Sequence, residues 1–152
     1  MLTHLSELDT KNNKLLFLCT GNSCRSQIAE AIAKKELSSR FSIESAGTEA
    51  HGLNPYTIKT LKEINIDISN NKSKAITDSE LIKYDLIITL CGDARDKCPI
   101  LNSKIKHIHW DLKDPANFIG NESDTLQVYS KTRELIYKKI INLKNMLDKG
   151  NI

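Results

Sequence analysis

The stretch Lys14-Leu15-Leu16-Phe17-Leu18-Cys19-Thr20-Gly21-Asn22-Ser23-Cys24-Arg25-Ser26 decides the fold. Its opening run, Lys14 to Leu18, is short and apolar, as expected of a strand buried on both faces of a parallel sheet. That strand ends at Cys19. From Ser23 to about Leu37 the apolar residues Ile28, Ala29, Ile32, Ala33 and Leu37 recur at helical spacing. Strand, loop and helix in this order place the loop at the C-terminal end of a strand, where parallel sheets present their ligand sites.

The same alternation continues outward. Phe41 to Ala46 alternates like a strand and Gly47 stops it, after which Asn54-Pro55 supplies an N-cap and first-turn signal for a helix running to about Ile64. Asp78 is expected to cap a shorter helix, and Asp85 to Leu90 has the β-branched content of a buried strand that ends at Cys91. Ile105 to Trp110 supplies a further strand. In the closing segment, Thr125 to Lys149, helical spacing of Tyr129, Ile136, Ile140, Leu143 and Leu147 predicts a helix lying along the sheet. The expected class is therefore α/β, a parallel sheet of about four strands layered between helices. Residues 1–13 read as a polar N-terminal extension and 14–152 as a single domain, since 152 residues fit one ordinary domain with a core.

The charge balance is mild, with 22 Lys and Arg against 19 Asp and Glu, and the lysines are scattered rather than clustered, so no nucleic-acid footprint is indicated. The N-terminus lacks a basic and apolar leader pattern, and the longest apolar stretch, Leu86 to Leu90, is far below membrane-spanning length. A cytoplasmic chain, a monomer without membrane partners, is the expectation. In a reducing compartment its four cysteines would stay thiols, which points to reactivity rather than a disulfide scaffold. No metal site is expected, because the spacings Cys19 to Cys24 and Cys91 to Cys98 lack the tight pairs of zinc ligands.

Chemistry concentrates in Cys19-Thr20-Gly21-Asn22-Ser23-Cys24-Arg25-Ser26. Backbone N–H groups in such a turn converge on an anion, and the positive end of the following helix favours negative charge. Arg25 would clamp two oxygens of a tetrahedral oxyanion. The same field favours the thiolate of Cys19, to which Ser26 can donate a hydrogen bond, so Cys19 is the nucleophile candidate. Thr20, Gly21, Asn22, Ser23, Cys24, Arg25 and Ser26 are read together as the substrate cradle. Neither the Walker pattern nor Gly-x-Gly-x-x-Gly occurs.

Cys-x5-Arg followed by Ser resembles the low-molecular-weight tyrosine phosphatases and the thioredoxin-coupled arsenate reductases that share their fold. Thr20 to Gln27, Ser45-Ala46-Gly47, His51-Gly52 and Asn54-Pro55 are similar to the reductase version. The resemblance runs from about Leu15 to the C-terminal helix and implies a three-layer sandwich with sheet order 2-1-3-4 and helices on both faces.

Cys91 and Cys98 match the redox pair of the reductases, and a phosphatase needs neither thiol. The resemblance thus implies arsenate as substrate, no cofactor, and a relay: arsenate is captured on Cys19, Cys91 attacks to release arsenite, and Cys98 resolves the disulfide for thioredoxin to reduce. If residues 91–98 were helical when reduced, the two Cα atoms would lie about 10 Å apart, beyond the roughly 7 Å reach of a disulfide, so oxidation would remodel this loop. Asp114-Pro115-Ala116 resembles the mobile acid of both families, with Asp114 as proton donor or acceptor and Ala116 where phosphatases usually carry an aromatic residue. Cys24 discriminates nothing, His107, His109 and Trp110 default to packing, and His51 to a turn. A tyrosine phosphatase acting through a phospho-cysteine on Cys19 is the runner-up, and a non-catalytic thiol sensor is the third reading.

Potassium-binding members resemble this chain at Asn22, Glu30 and Ser45, but Lys74 stands where they carry an acidic ligand. An ammonium group cannot ligate a cation, so Lys74 is read either as occupying the ion's place and pairing with Glu30 or as simply pointing into water, with potassium of little effect in both cases.

Overall fold

The structure, a computed structural model, describes residues 13–92 and 101–150. Four strands form one parallel sheet: β1 (Asn13–Cys19), β2 (Phe41–Gly47), β3 (Leu86–Leu90) and β4 (His107–Trp110). Their spatial order is β2-β1-β3-β4, the order expected from the resemblance. The helices are α1 (Arg25–Glu36), α2 (Pro55–Lys62), α3 (Asp78–Leu81) and α4 (Glu122–Lys149), with one 3-10 turn at Pro115–Asn117. Among the described residues no helix is long and apolar enough to cross a membrane.

Period-two alternation distributes the strand residues between two cores. Leu15, Phe17, Leu86, Ile88, Leu90 and Trp110 face one side, where α1 and α4 bring Ile28, Ile32, Ile136, Ile140, Leu143 and Leu147 against them. Leu16, Leu18, Ala46 and Ile87 face the other, a smaller cluster closed by Leu81 of α3 with Ile76, Tyr84, Leu101 and Ile105. The two layers of helix are thus unequal. The thick one carries most of the apolar burial, while the thin one is capped by a four-residue helix.

Boundaries follow local chemistry. β1 begins at Asn13, one residue before the expected domain start, because Asn13 pairs with Phe41 at the foot of β2. Asn54 caps α2 as expected, accepting the Tyr56 N–H, with Pro55 at the first helical position. The cap of α3 is Thr77 rather than Asp78: its hydroxyl and Glu80 form a reciprocal box, which moves Asp78 into the first turn. α4 starts about a turn before Thr125, because the Asn121 side chain accepts the Asp124 N–H and fixes the helix there. Gly150, left-handed at φ 61°, ends it.

Gly47 is where the sheet meets the loop after β1. Its N–H donates to Lys74 O at 2.8 Å and its carbonyl accepts from Ile76 N at 3.0 Å, so the chain through Ala75 pairs along the outer side of β2. A Cβ at this position would stand 2.4 Å from Thr20 O, 2.5 Å from Glu49 O and 2.8 Å from Asn22 N, all backbone atoms that cannot yield cheaply. Gly47→Ala should therefore lower the unfolding free energy by about 2 kcal/mol or more, as overpacking against rigid backbone does. Urea denaturation checks this, and a wild-type midpoint would contradict the packing described.

Candidate active site

Cys19 closes β1 and is only 3% exposed, at the floor of a cleft of about 200 Å³. A second stretch, residues 48–54, runs beside the loop that follows. Its N–H groups bind the loop carbonyls in turn: Thr48 to Cys19 O, Glu49 to Thr20 O, His51 to Gly21 O and Asn54 to Ser23 O, at 2.9–3.2 Å. In a trans peptide the carbonyl of one residue and the N–H of the next point opposite ways. Tying these carbonyls to the neighbouring stretch therefore turns the N–H groups of Thr20, Gly21, Asn22 and Cys24 away from it, toward the cleft. This is the anion-binding geometry expected of a turn at a helix N-terminus.

Behind the loop lies a buried polar network. Asn22 is fully buried and left-handed at φ 48°, a conformation Asn tolerates better than most residues. Its Nδ2 donates to Ser26 Oγ at 2.8 Å and Ser45 Oγ at 2.9 Å, and Ser45 in turn donates to Glu30. Because Asn22 donates to it, Ser26 is left with its own proton for the Cys19 Sγ, 2.8 Å away. The network thus sets a hydroxyl donor directly beneath the sulfur of the candidate nucleophile. The side chains of Asn22 and Ser26, read from the sequence as oxyanion contacts, do not line the cleft; they hold the loop and the sulfur instead.

Arg25 is buried at the first residue of α1. Its Nη1 donates to Leu112 O at 2.7 Å and its Nη2 stands 3.6 Å from Asp114 Oδ2, so the guanidinium links the oxyanion loop to the Asp114 stretch. Asp114 Oδ1 accepts the Ala116 N–H at 3.0 Å and the Cys24 thiol at 3.6 Å, which aims the carboxylate across the mouth of the cleft. Burial pushes the Cys24 thiol well above its ordinary range, and the nearby Asp114 charge adds to this. Cys24 thus stays a protonated donor, in keeping with a loop role rather than a redox one.

Cys91 follows β3 and is buried, with its sulfur in no disulfide. Cys98 and the proposed remodelling of residues 91–98 lie outside the described residues. One wall residue, His51, and one residue behind the cleft, Tyr129, escaped the sequence reading. His51 lines the cleft and packs so closely on Gly21 that a Cβ there would meet its Nδ1 at 2.4 Å, while its Nε2 lies 2.9 Å from Glu49 Oε1. Tyr129, expected only as core, holds its hydroxyl 2.9 Å from Asn54 Nδ2, and its pKa is raised chiefly by burial, with the nearby Asp114 carboxylate adding to it. Nothing local in the sequence marks either role, since both depend on which segments meet.

Of the two readings of Lys74, the pairing with Glu30 is overturned and the solvent-directed side chain is what the structure has. Its ammonium is half-exposed and 3.8 Å from Glu44, whereas Glu30 takes Lys34, one helical turn away on α1, at 2.6 Å. What steadies Asn22 is the backbone of Lys74, whose N–H donates to Asn22 Oδ1 at 2.9 Å. The backbone at 74 points inward, and its side chain is free to reach water.

Residues 14–151 match the family described as low molecular weight phosphotyrosine protein phosphatase. An arsenate reductase of Oceanobacillus iheyensis is 48% identical over 126 residues, covering 83% of this chain and 91% of that protein. Among solved structures, an arsenate reductase in the phosphate-binding state superposes with a TM-score of 0.72 at 30% identity, over 89% of this chain and 98% of the other. A thioredoxin-dependent arsenate reductase of Corynebacterium glutamicum gives 0.57 at 27% identity, over 91% and 67%.

Two substitutions separate the side-chain network from the surface ion pair. Asn22→Ala leaves Ser26, Ser45 and the Lys74 N–H without their partner and puts alanine at positive φ, so it should cost about 3 kcal/mol of stability. Lys74→Ala removes only an exposed pair and should change stability by less than about 1 kcal/mol. Chemical denaturation of both variants is the check, and comparable losses would return the ammonium of Lys74 to the network.

Proposed function

The chain belongs to the low molecular weight phosphotyrosine protein phosphatase family, and within it we propose that it reduces arsenate to arsenite with electrons from its own thiols, renewed by thioredoxin. Arsenate enters the cleft with its oxygens on the loop N–H groups and Arg25. The Cys19 thiolate attacks arsenic, and Asp114, at the mouth of the cleft, supplies the proton for the departing oxygen, which leaves as water. The product is an arsenic(V) bonded to the Cys19 sulfur.

Cys91, as thiolate, then attacks that sulfur. The S–As bond breaks, its electron pair stays with arsenic, and arsenite leaves while a disulfide joins Cys19 to Cys91. Cys98 attacks Cys91 in turn, restoring the Cys19 thiolate and leaving a Cys91–Cys98 disulfide. Thioredoxin reduces that bond by the same exchange chemistry, so no cofactor takes part. Two thiols lose one electron each, and arsenic gains two.

The observation that carries this reading is the position of Cys91. It stands at the C-terminal end of β3, and Gly92 lets the chain close on the Asp114 stretch: a Cβ there would be 2.5 Å from the Leu112 carbonyl. A second thiol at this place has no step in ester hydrolysis. The names of the relatives agree with it, and the Corynebacterium protein supports thioredoxin as the reductant. The phosphatase alternative rests on the same loop and Asp114, which would serve a phosphate ester equally well.

Two assays run side by side test the assignment: NADPH consumption with arsenate, thioredoxin and thioredoxin reductase, and p-nitrophenyl phosphate hydrolysis. Cys19→Ser should abolish both, since both begin on that sulfur. Cys91→Ser or Cys98→Ser should stop multiple-turnover arsenate reduction while largely sparing ester hydrolysis. Ester hydrolysis with no arsenate reduction by the wild type would make the protein a phosphatase.

A further inference from the structure

Outside the cleft, one cluster of ligand-type side chains is left without a use. His107 and His109, alternate residues of β4, lie on the same side of the sheet. Thr89 of β3 is directly opposite His109 in the register. His107 Nε2 is 2.8 Å from the Thr89 hydroxyl oxygen and His109 Nδ1 is 2.7 Å from it, so two imidazole nitrogens from neighbouring positions converge on one point. The rings stand edge to face with centroids 6.4 Å apart.

Proton counting shows what this arrangement offers. The Thr89 hydroxyl has one hydrogen. It can give that hydrogen to one ring nitrogen, and the other ring must then donate to the same oxygen. One of the converging nitrogens therefore already presents a lone pair, and the second does so after a tautomer change that moves its proton to the far side of the ring. Two neutral imidazole nitrogens facing one point are the donor set that late first-row divalent ions favour. His107 is partly exposed and His109 exposed, so an ion can arrive and keep water in its remaining positions.

We propose that His107 and His109 form a binding site for a divalent transition-metal ion, with the Thr89 hydroxyl beside it. Among the described residues no group of three or more His, Cys, Asp and Glu side chains comes together, so two imidazoles and water hold the ion. Bonds of about 2.0–2.1 Å to each nitrogen place the ion near the point now held by the Thr89 oxygen, so the threonine side chain turns aside as the two rings close on the ion. The exposed edge strand permits this. The bound ion ties β4 to β3 two residues before Cys91, on the side of the sheet away from Trp110.

Nickel is a suitable probe, because it favours imidazole and its unpaired electrons broaden nearby nuclear resonances. Titrating Ni²⁺ into the full-length reduced protein should broaden the ring signals of His107 and His109 and the methyl of Thr89 first, at one equivalent. Calorimetry should show His107→Gln and His109→Gln each weakening this binding about tenfold or more, since each removes one of two protein ligands. Glutamine keeps a hydrogen bond to Thr89, and urea midpoints of both variants establish that they fold. Broadening that begins at Cys19, Cys24, Cys91 or Cys98, or undiminished one-equivalent binding in both folded variants, overturns the site.

Discussion

A single buried amide holds the site in shape. Asn22 gives its Nδ2 protons to Ser26 and Ser45, takes Gln27 and the Lys74 N–H on its Oδ1, and takes the Ser73 hydroxyl on its main-chain oxygen. These partners come from α1, β2 and the stretch 70–74, so three separate parts of the chain agree on one position. A buried amide satisfied on all sides is rigid because every alternative orientation leaves a donor or acceptor without a partner in a low-dielectric interior. Its left-handed backbone bends the loop, and its side chain orients the hydroxyl under the nucleophile. The cradle is thus preformed, as stabilisation of developing charge requires.

The first strand, loop and helix were legible because their logic is local. An apolar run, a polar turn and a helical spacing can be read within 25 residues, and Cys19 and Arg25 were singled out by their chemistry at fixed places in that pattern, whereas Asp114 came from the resemblance. The alternation of strands and helices foretold the parallel sheet, and the resemblance supplied its order. What stayed hidden depends on contacts between distant segments. His51 stands on the cleft wall because residues 48–54 run beside residues 19–23, and Tyr129 joins the site because α4 crosses near Asn54. Lys74 could not be decided between its two readings for a subtler reason. Charge and position were read correctly, but whether a loop residue offers its side chain or its N–H is set by local backbone direction, which one sequence does not reveal.

The unequal faces of the sheet divide the labour of the fold. Apolar burial is concentrated under α1 and α4, and the residues of α1 that carry the site, Arg25, Ser26, Gln27 and Glu30, are buried on the same helix as Ile28 and Ile32. Stability and site geometry are therefore coupled through one helix: a change that tilts α1 moves the guanidinium and the hydroxyl together. The thin face carries the smaller cluster under α3, and there the imidazole pair lies against β3. The strand that leads to Cys91 is thereby held from the lightly covered side.

Pairing through Ala75 has a consequence for how copies of the protein meet. An unpaired strand edge is a template on which another chain can add and begin aggregation. Here the C-terminal end of one border is occupied by the protein's own backbone at Gly47, and the other border is the four-residue β4, too short to seed an extended ladder. Both features shorten the open edge on which a second chain could add, so the bond that closes β2 beside the loop also narrows the template for edge-to-edge association.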